Sequence, residues 1–182
     1  MVLTKTEVEE AIKNDGDFVK IDHLNRFLKK ADSLDVKKYI HLRLAGIYDA
    51  KNFISDAAKN IDAAADSSLT FKEKIELYMK EAELFVRAGQ FDSADKAFQK
   101  AFFHANLVER EQIKEKYLEF YRSQAKINEK AGKQRIAAQV YEKLISLPQP
   151  EERRIEVKNT LLGIYERLGR LRDFNMLKNR EF

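Results

Sequence analysis

The sequence predicts an all-α fold of about five antiparallel helix pairs, on three observations. Apolar residues recur three and four apart along nearly the whole chain, the period of one face of a helix. Gly and Pro are scarce, six and two in 182 residues, where extended structure would need frequent turn residues. One order of turn, aromatic and alanine positions also returns at a nearly regular interval, which signals internal repetition.

Each pair can be justified in turn. Helices near 5–14 and 17–31 follow Thr4-x-x-Glu7, a capping-box pattern, and carry Ile12, Phe18, Ile21 and Leu28 around a turn at Gly16. Helices near 36–50 and 53–65 carry Ala45 and Tyr48, a turn at Asn52, then Ile54, Ala57, Ile61 and Ala64. The clearest pair, near 71–88 and 92–105, opens on Thr70-x-x-Glu73 and has Tyr78, Ala82 and Phe85 on one stripe. Gly89 ends its first helix, because Gly takes the left-handed conformation cheaply. Asp92, with Asp95 three residues on, is expected to start the second, whose stripe is Ala94, Phe98 and Ala101. A helix near 107–131, about seven turns long, follows Asn106-x-x-Glu109. It pairs with 134–146 through Tyr121, Ala125, Gly132, Ala137, Tyr141 and Leu144. Pro150 suits the first turn of 151–168, which pairs with 171–180 through Leu162, Tyr165, Gly169, Leu171 and Phe174.

The run Gly89-x-Phe91-x-x-Ala94-x-x-x-Phe98-x-x-Ala101, after Ala82 and Phe85, resembles the tetratricopeptide repeat. The turn residues Gly16, Asn52, Gly89, Gly132 and Gly169 stand 36, 37, 43 and 37 apart, against ~34 in the standard repeat. The units are therefore tetratricopeptide-like, with longer helices or linkers, similar to soluble NSF attachment proteins and proteasome-lid subunits. The resemblance implies a right-handed α-solenoid, a single domain over 1–182 with repeats near 2–35, 38–68, 70–106, 107–149 and 150–182. It also implies an adaptor or scaffold that binds another protein or peptide segment on a concave wall made by the first helix of each pair. Carried onto this chain, that wall is Tyr39, Arg43 and Asp49; Lys80, Glu83 and Arg87; Glu119, Arg122, Lys126 and Lys130; Asn159, Glu166 and Arg167. Seven of these thirteen are basic, so an acidic segment is the expected occupant. The carboxylate clamp of some family members is not expected, since its positions read Thr6, Glu10, Arg43, Glu76 and Lys80, without Asn and with two Glu.

Composition narrows the function classes. Apolar residues are 44% and charged residues 35%, a globular balance, long enough to bury roughly 70% of the surface of the unfolded chain. No Cys is present, which removes disulfides, thiolate metal sites and a cysteine nucleophile. No apolar run approaches a membrane span and the charged start has no signal-like core, so a cytoplasmic protein is expected, without membrane contact. The net charge of +4 is concentrated in 110–182, with 17 basic against 11 acidic residues. This basic third makes an RNA- or ribosome-associated protein the rival reading, although Glu interleaved at helical spacing is what any solvated face carries.

No catalytic chemistry is legible, and neither cofactor nor metal is expected. Gly132-Lys133 is followed by Gln134 and lacks the leading Gly of a phosphate loop. His23, His41 and His104 stand in different repeats, without ligand-spaced partners. The neighbours Glu9-Glu10 and Glu151-Glu152 are expected at helix starts, where carboxylates favour the dipole. In Phe102-Phe103, Phe102 continues the core stripe; Phe103 is expected in the joint between repeats, with an exposed anchor as the alternative. The last pair carries Leu161, Leu162, Ile164, Tyr165, Leu168, Leu171, Phe174, Met176, Leu177 and Phe182. With no further helix to cover it, this end is expected to dock a second copy or another subunit, unless Arg170, Arg172, Lys178 and Arg180 shield it with their stems.

Overall fold

A computed structural model describes residues 3–181. Among these, ten α-helices and no strand occur: α1 (Lys5–Ile12), α2 (Asp17–Lys30), α3 (Leu34–Ala50), α4 (Ile54–Asp66), α5 (Phe71–Arg87), α6 (Phe91–His104), α7 (Leu107–Lys130), α8 (Gln134–Ser146), α9 (Glu151–Arg167) and α10 (Leu171–Lys178). Every expected helix is present, with ends displaced by at most two residues. Phe182 lies outside the described residues.

The helix starts follow from local hydrogen bonding. Thr4 and Glu7 form a reciprocal box, with the Glu7 backbone N–H donating to Thr4 Oγ1 (3.3 Å) and the Thr4 N–H to Glu7 Oε2 (2.8 Å). Asn106 and Glu109 repeat it at the head of α7, at 3.0 and 2.9 Å. At α5 the Glu73 N–H donates to Thr70 Oγ1 (3.2 Å). Each such cap satisfies donors that a helix start leaves orphaned, which stabilises by about 1 kcal/mol. Two expectations shift here. Gln90 caps α6, so Asp92 sits inside the first turn instead of starting the helix. Pro150 stands at the cap of α9, one residue before its first turn.

Four helix pairs close on the same turn. Asn52, Gly89, Gly132 and Gly169 are all left-handed, at φ 61°, 71°, 71° and 68°. In each turn the next residue's N–H reaches back five residues: Phe53 to Tyr48, Gln90 to Phe85, Lys133 to Asn128 and Arg170 to Tyr165, at 2.8–2.9 Å. That bond satisfies a carbonyl the ending helix would otherwise leave open. A side chain in this conformation costs roughly 1–2 kcal/mol, which is why three of the four are Gly and the fourth is Asn. Gly16 differs: it is the cap of α2 with φ −71°, an ordinary conformation, so the first pair does not share the turn.

The helices group into two compact units, residues 1–113 and 114–182, with the boundary inside α7. In the first unit each helix from α1 to α6 packs on its chain neighbour, and α1 also meets α3. Pairing is antiparallel, as His41 against Asn60 across α3–α4 and Phe71 against His104 across α5–α6 require. The α4 helix meets both α3 and α5 and buries Ala57, Ala58, Ala64 and Ala65 around Ile61. Methyl-sized side chains on two faces let both neighbours approach. Ala45, Ala82, Ala94 and Ala101 are likewise buried at the contacts where the stripes placed them. Val8, Ile12, Leu24, Val36, Ile40 and Leu44 fill the core at the N-terminal end.

Ion pairs then tie helices of successive pairs. Lys5–Asp35 (2.7 Å) and Glu9–Arg43 (2.8 Å) join α1 to α3; Lys38–Glu73 (2.8 Å) and Asp49–Arg87 (3.0 Å) join α3 to α5. In the second unit α9 packs on α8 and α10. Glu115–Arg153 (2.5 Å) and Glu129–Arg167 (3.6 Å) join α7 to α9. Asp49 and Glu129 each stand three residues before a left-handed turn residue. Arg87 and Arg167 each stand two before the next one, so one register recurs in both units. Tyr121, Ala125, Ala137, Leu144, Leu161 and Ile164 are buried here.

Four side chains depart from their expected places. Phe18 and Leu171, placed on inward stripes by their spacing, are exposed, with Lys51 Nζ lying 4.9 Å above the Phe18 ring. Glu9 and Glu10 are not at a helix start; Glu9 is the fifth residue of α1 and is held by Arg43. Glu151 and Glu152 do occupy the first turn of α9.

Candidate functional site

The thirteen residues assigned to a binding wall lie on α3, α5, α7 and α9, and much of their charge is spent internally. Arg43 forks onto Glu9 through Nε (2.8 Å) and Nη2 (3.3 Å). Burial raises the Tyr39 hydroxyl to about 12, and its hydrogen bond to Glu9 adds to the shift. Asp49 accepts from Arg87, and Arg167 lies 3.6 Å from Glu129 while donating to the Gly163 carbonyl (3.2 Å). Glu119 and Arg122 pair along α7 at 3.4 Å. Lys80, Glu83, Lys126, Lys130, Asn159 and Glu166 are exposed. Asn159 borders an open hollow near the end of α10, beside Lys158, whose ammonium donates to the carbonyls of Lys178 (2.9 Å) and Arg180 (2.6 Å).

Two of the thirteen share a cavity. Arg122 and Lys126 from α7, Tyr141 from α8, and Glu156, Val157 and Thr160 from α9 enclose about 50 Å³. One nitrogen of the lining residue Arg122, Nη2, is buried without an acceptor. A buried guanidinium donor left unpaired carries a cost that an incoming carboxylate removes. The Tyr141 hydroxyl donates to Glu129 (2.7 Å), and burial followed by that bond raises its pKa. It is therefore a fixed neutral wall.

A second constellation, not among the sequence candidates, lies on α4–α6. Glu81 is only 6% exposed, although it is a carboxylate. Around it stand Asp62 and Asp66 of α4 and Lys100 of α6, whose ammonium is 2.5 Å from Asp62 and 3.8 Å from Glu81. Burial, followed by repulsion from Asp62, pushes Glu81 up to about 7; Lys100 offsets only part. Tyr78 donates to Asp66 (3.4 Å), and the Lys100 ammonium lies 5.3 Å over its ring. The sequence did hold a signal. Glu81 falls three after Tyr78 and four before Phe85, which puts a carboxylate on an apolar stripe.

Beside this cluster an open apolar hollow of about 610 Å³ is lined by Tyr78, Lys100, Phe103 and His104, among others. The His104 ring stacks on Phe71 (5.5 Å) and Tyr78 (5.8 Å). Phe103 is 79% and Phe71 68% exposed, so Phe103 takes the outward position and not the buried joint. Phe102 is half-buried, with the Arg110 guanidinium 4.7 Å over its ring.

At the other end of the chain, Leu177 is buried while Leu171 and Met176 are 67% and 65% exposed. The basic residues shield only part of this end: Arg170 stacks over Tyr165 (4.5 Å) and Lys178 over Phe174 (6.0 Å). His23 pairs with Asp15 (2.9 Å) and His41 with Asn60 (2.9 Å). Among the described residues, no group of three or more His, Cys, Asp or Glu has metal-holding geometry. No helix there is long and apolar enough to cross a membrane. No protein-family model matches the chain, and no curated protein matches it either.

Proposed function

We propose that this chain is a non-catalytic adaptor built on tetratricopeptide-like helix pairs, and that its α7–α9 face binds an acidic segment of another protein. The observation that carries the reading is the cavity lined by Arg122, one of whose buried guanidinium nitrogens has no acceptor, and by Lys126, a second cation one turn away. A Glu or Asp side chain from a partner fits this chemistry, with the exposed Lys130 a further turn along. The recurring left-handed turn and the repeated Asp49–Arg87 and Glu129–Arg167 register support the repeat assignment.

The test is affinity isolation from native cell extract on the immobilised chain, beside the variant Arg122→Glu, Lys126→Glu, Lys130→Glu. Proteins should be retained by the wild type, resist nuclease, elute as salt rises, and be lost from the variant. Unaltered retention by the variant refutes the α7–α9 site. Nuclease-sensitive capture assigns the basic third to nucleic acid instead.

A further inference from the structure

We propose that the α4–α6 face is a docking site for a protein segment that pairs a lysine or arginine with an adjacent apolar side chain. The proposal shares with the adaptor reading only the view that the chain binds proteins; the surface and the partner's charge are different.

The cluster is short of positive charge. Asp62, Asp66 and Glu81 share one ammonium, Lys100, which sits on Asp62 and leaves Glu81 Oε2 buried without a hydrogen-bond partner. A buried carboxylate oxygen without a hydrogen bond, with the nearest ammonium 3.8 Å away, is costly, and the group lowers that cost by holding a proton. An incoming cation supplies what is missing. Paired with Asp62 and the exposed Asp66, it releases Lys100 to close on Glu81, and the carboxyl then gives up its proton. The titratable groups facing Glu81 are Asp62 and Asp66 from α4, Lys100 from α6, and Tyr78 from its own helix.

The adjacent hollow selects the rest of the segment. Tyr78 and Lys100 belong to both cluster and hollow, so a cation at Asp62 places its neighbours over Phe103 and His104. Phe71 and Phe103 expose most of their rings beside His104, and a bound apolar side chain removes that surface from water. Phosphates would meet carboxylates here, which disfavours nucleic acid.

The probe is a random library of twelve-residue peptides, selected on the full chain at pH 8 and counter-selected on Phe103→Ser. Phe103 is exposed, so that variant keeps the fold. Enriched peptides should carry Lys or Arg beside an apolar residue and lose binding to the double variant Asp62→Asn, Asp66→Asn. They should bind about tenfold tighter at pH 8 than at pH 6, the factor set by a group that titrates at about 7 and binds only when ionised. That pH dependence should vanish in Glu81→Gln and persist in His104→Gln. An acidic or charge-indifferent consensus, no enrichment over Phe103→Ser, or an unchanged pH dependence in Glu81→Gln overturns the proposal. The peptides should bind the Arg122, Lys126, Lys130 triple variant as tightly as the wild type. Failure here therefore leaves the α7–α9 reading standing, and the reverse also holds.

Discussion

Replacing Glu81 with Gln removes one ionisable proton from the interior of the α4–α6 unit and keeps the side chain's shape. In the folded chain this carboxyl titrates at about 7, against 4.5 for the free side chain. At about 1.4 kcal/mol per pH unit the difference is worth about 3 kcal/mol. The sign follows from which state holds the proton. Between pH 4.5 and 7 the folded chain keeps it and the unfolded chain does not, so this contribution is complete below 4.5 and lost as pH rises through 7. Wild type should therefore lose up to about 3 kcal/mol between pH 5 and 8 through this group, while Glu81→Gln, which cannot ionise, should not. At 2–4 °C per kcal/mol the variant should melt roughly 6–12 °C higher at pH 8, and close to wild type at pH 5. The carboxylates with lowered pKa values do not confuse the comparison. Glu7, hydrogen-bonded by the Thr4 backbone, Asp17 by Lys51, Asp35 by Lys5, and Glu73 by Lys38 change ionisation below the pH range scanned. Melting curves by circular dichroism at half-unit pH steps make the measurement. Parallel pH profiles for the two proteins would refute the claim that Glu81 is buried against a carboxylate excess.

Gly89→Ala should cost about 1–2 kcal/mol, because its φ of 71° strains any side chain although space around it is open. Gly46→Ala, inside α3 with equally open space, should stabilise by about 1 kcal/mol; urea midpoints that move in the same direction for both would refute the turn argument. Ala94→Leu should overpack the fully buried α6 contact and cost about 1–3 kcal/mol, and an unchanged midpoint would place Ala94 at a loose contact. The exposed Leu171 and Met176 should make the molar mass rise with concentration in light scattering, and Met176→Glu should return a monomer. Wild type monomeric at every concentration would refute self-association through α10. Leu177→Glu is no substitute for that test, since Leu177 is buried and its loss would damage the helix pair itself.

Most of the fold was legible because its signals are short-range. A cap and the residue three positions on bond to each other, as at Thr4–Glu7, Thr70–Glu73 and Asn106–Glu109, and no distant contact decides them. A left-handed φ selects Gly or Asn wherever it occurs, so four of five turn residues were correctly read from residue type and spacing. Gly16 misled because Gly also suits a helix cap with ordinary φ, and residue type alone does not separate the two uses. Phe18 and Leu171 misled for a related reason: periodicity places a residue on a stripe but does not supply the neighbour that would cover it.

The site was legible only in its parts. Arg122 and Lys126, four apart on one helix, were readable as neighbours, but Tyr141, Val157 and Thr160 close the cavity from helices 15 or more residues away. Charges assigned to the wall as free groups proved to be rungs between helices, Arg43 on Glu9 and Asp49 on Arg87, across 34 and 38 residues. Glu81 shows the same division most clearly. Its place among apolar neighbours was visible in the local spacing, whereas Phe103, expected in the joint between repeats, stands exposed. That Asp62, Asp66 and Lys100 converge on Glu81, leaving three carboxylates to one ammonium, depended on how α4, α5 and α6 pack. Local hydrogen bonding and side-chain period determine helices and turns within a few residues of chain; burial, pairing and pKa depend on which surfaces the packed helices bring together, and only the tertiary structure decided those.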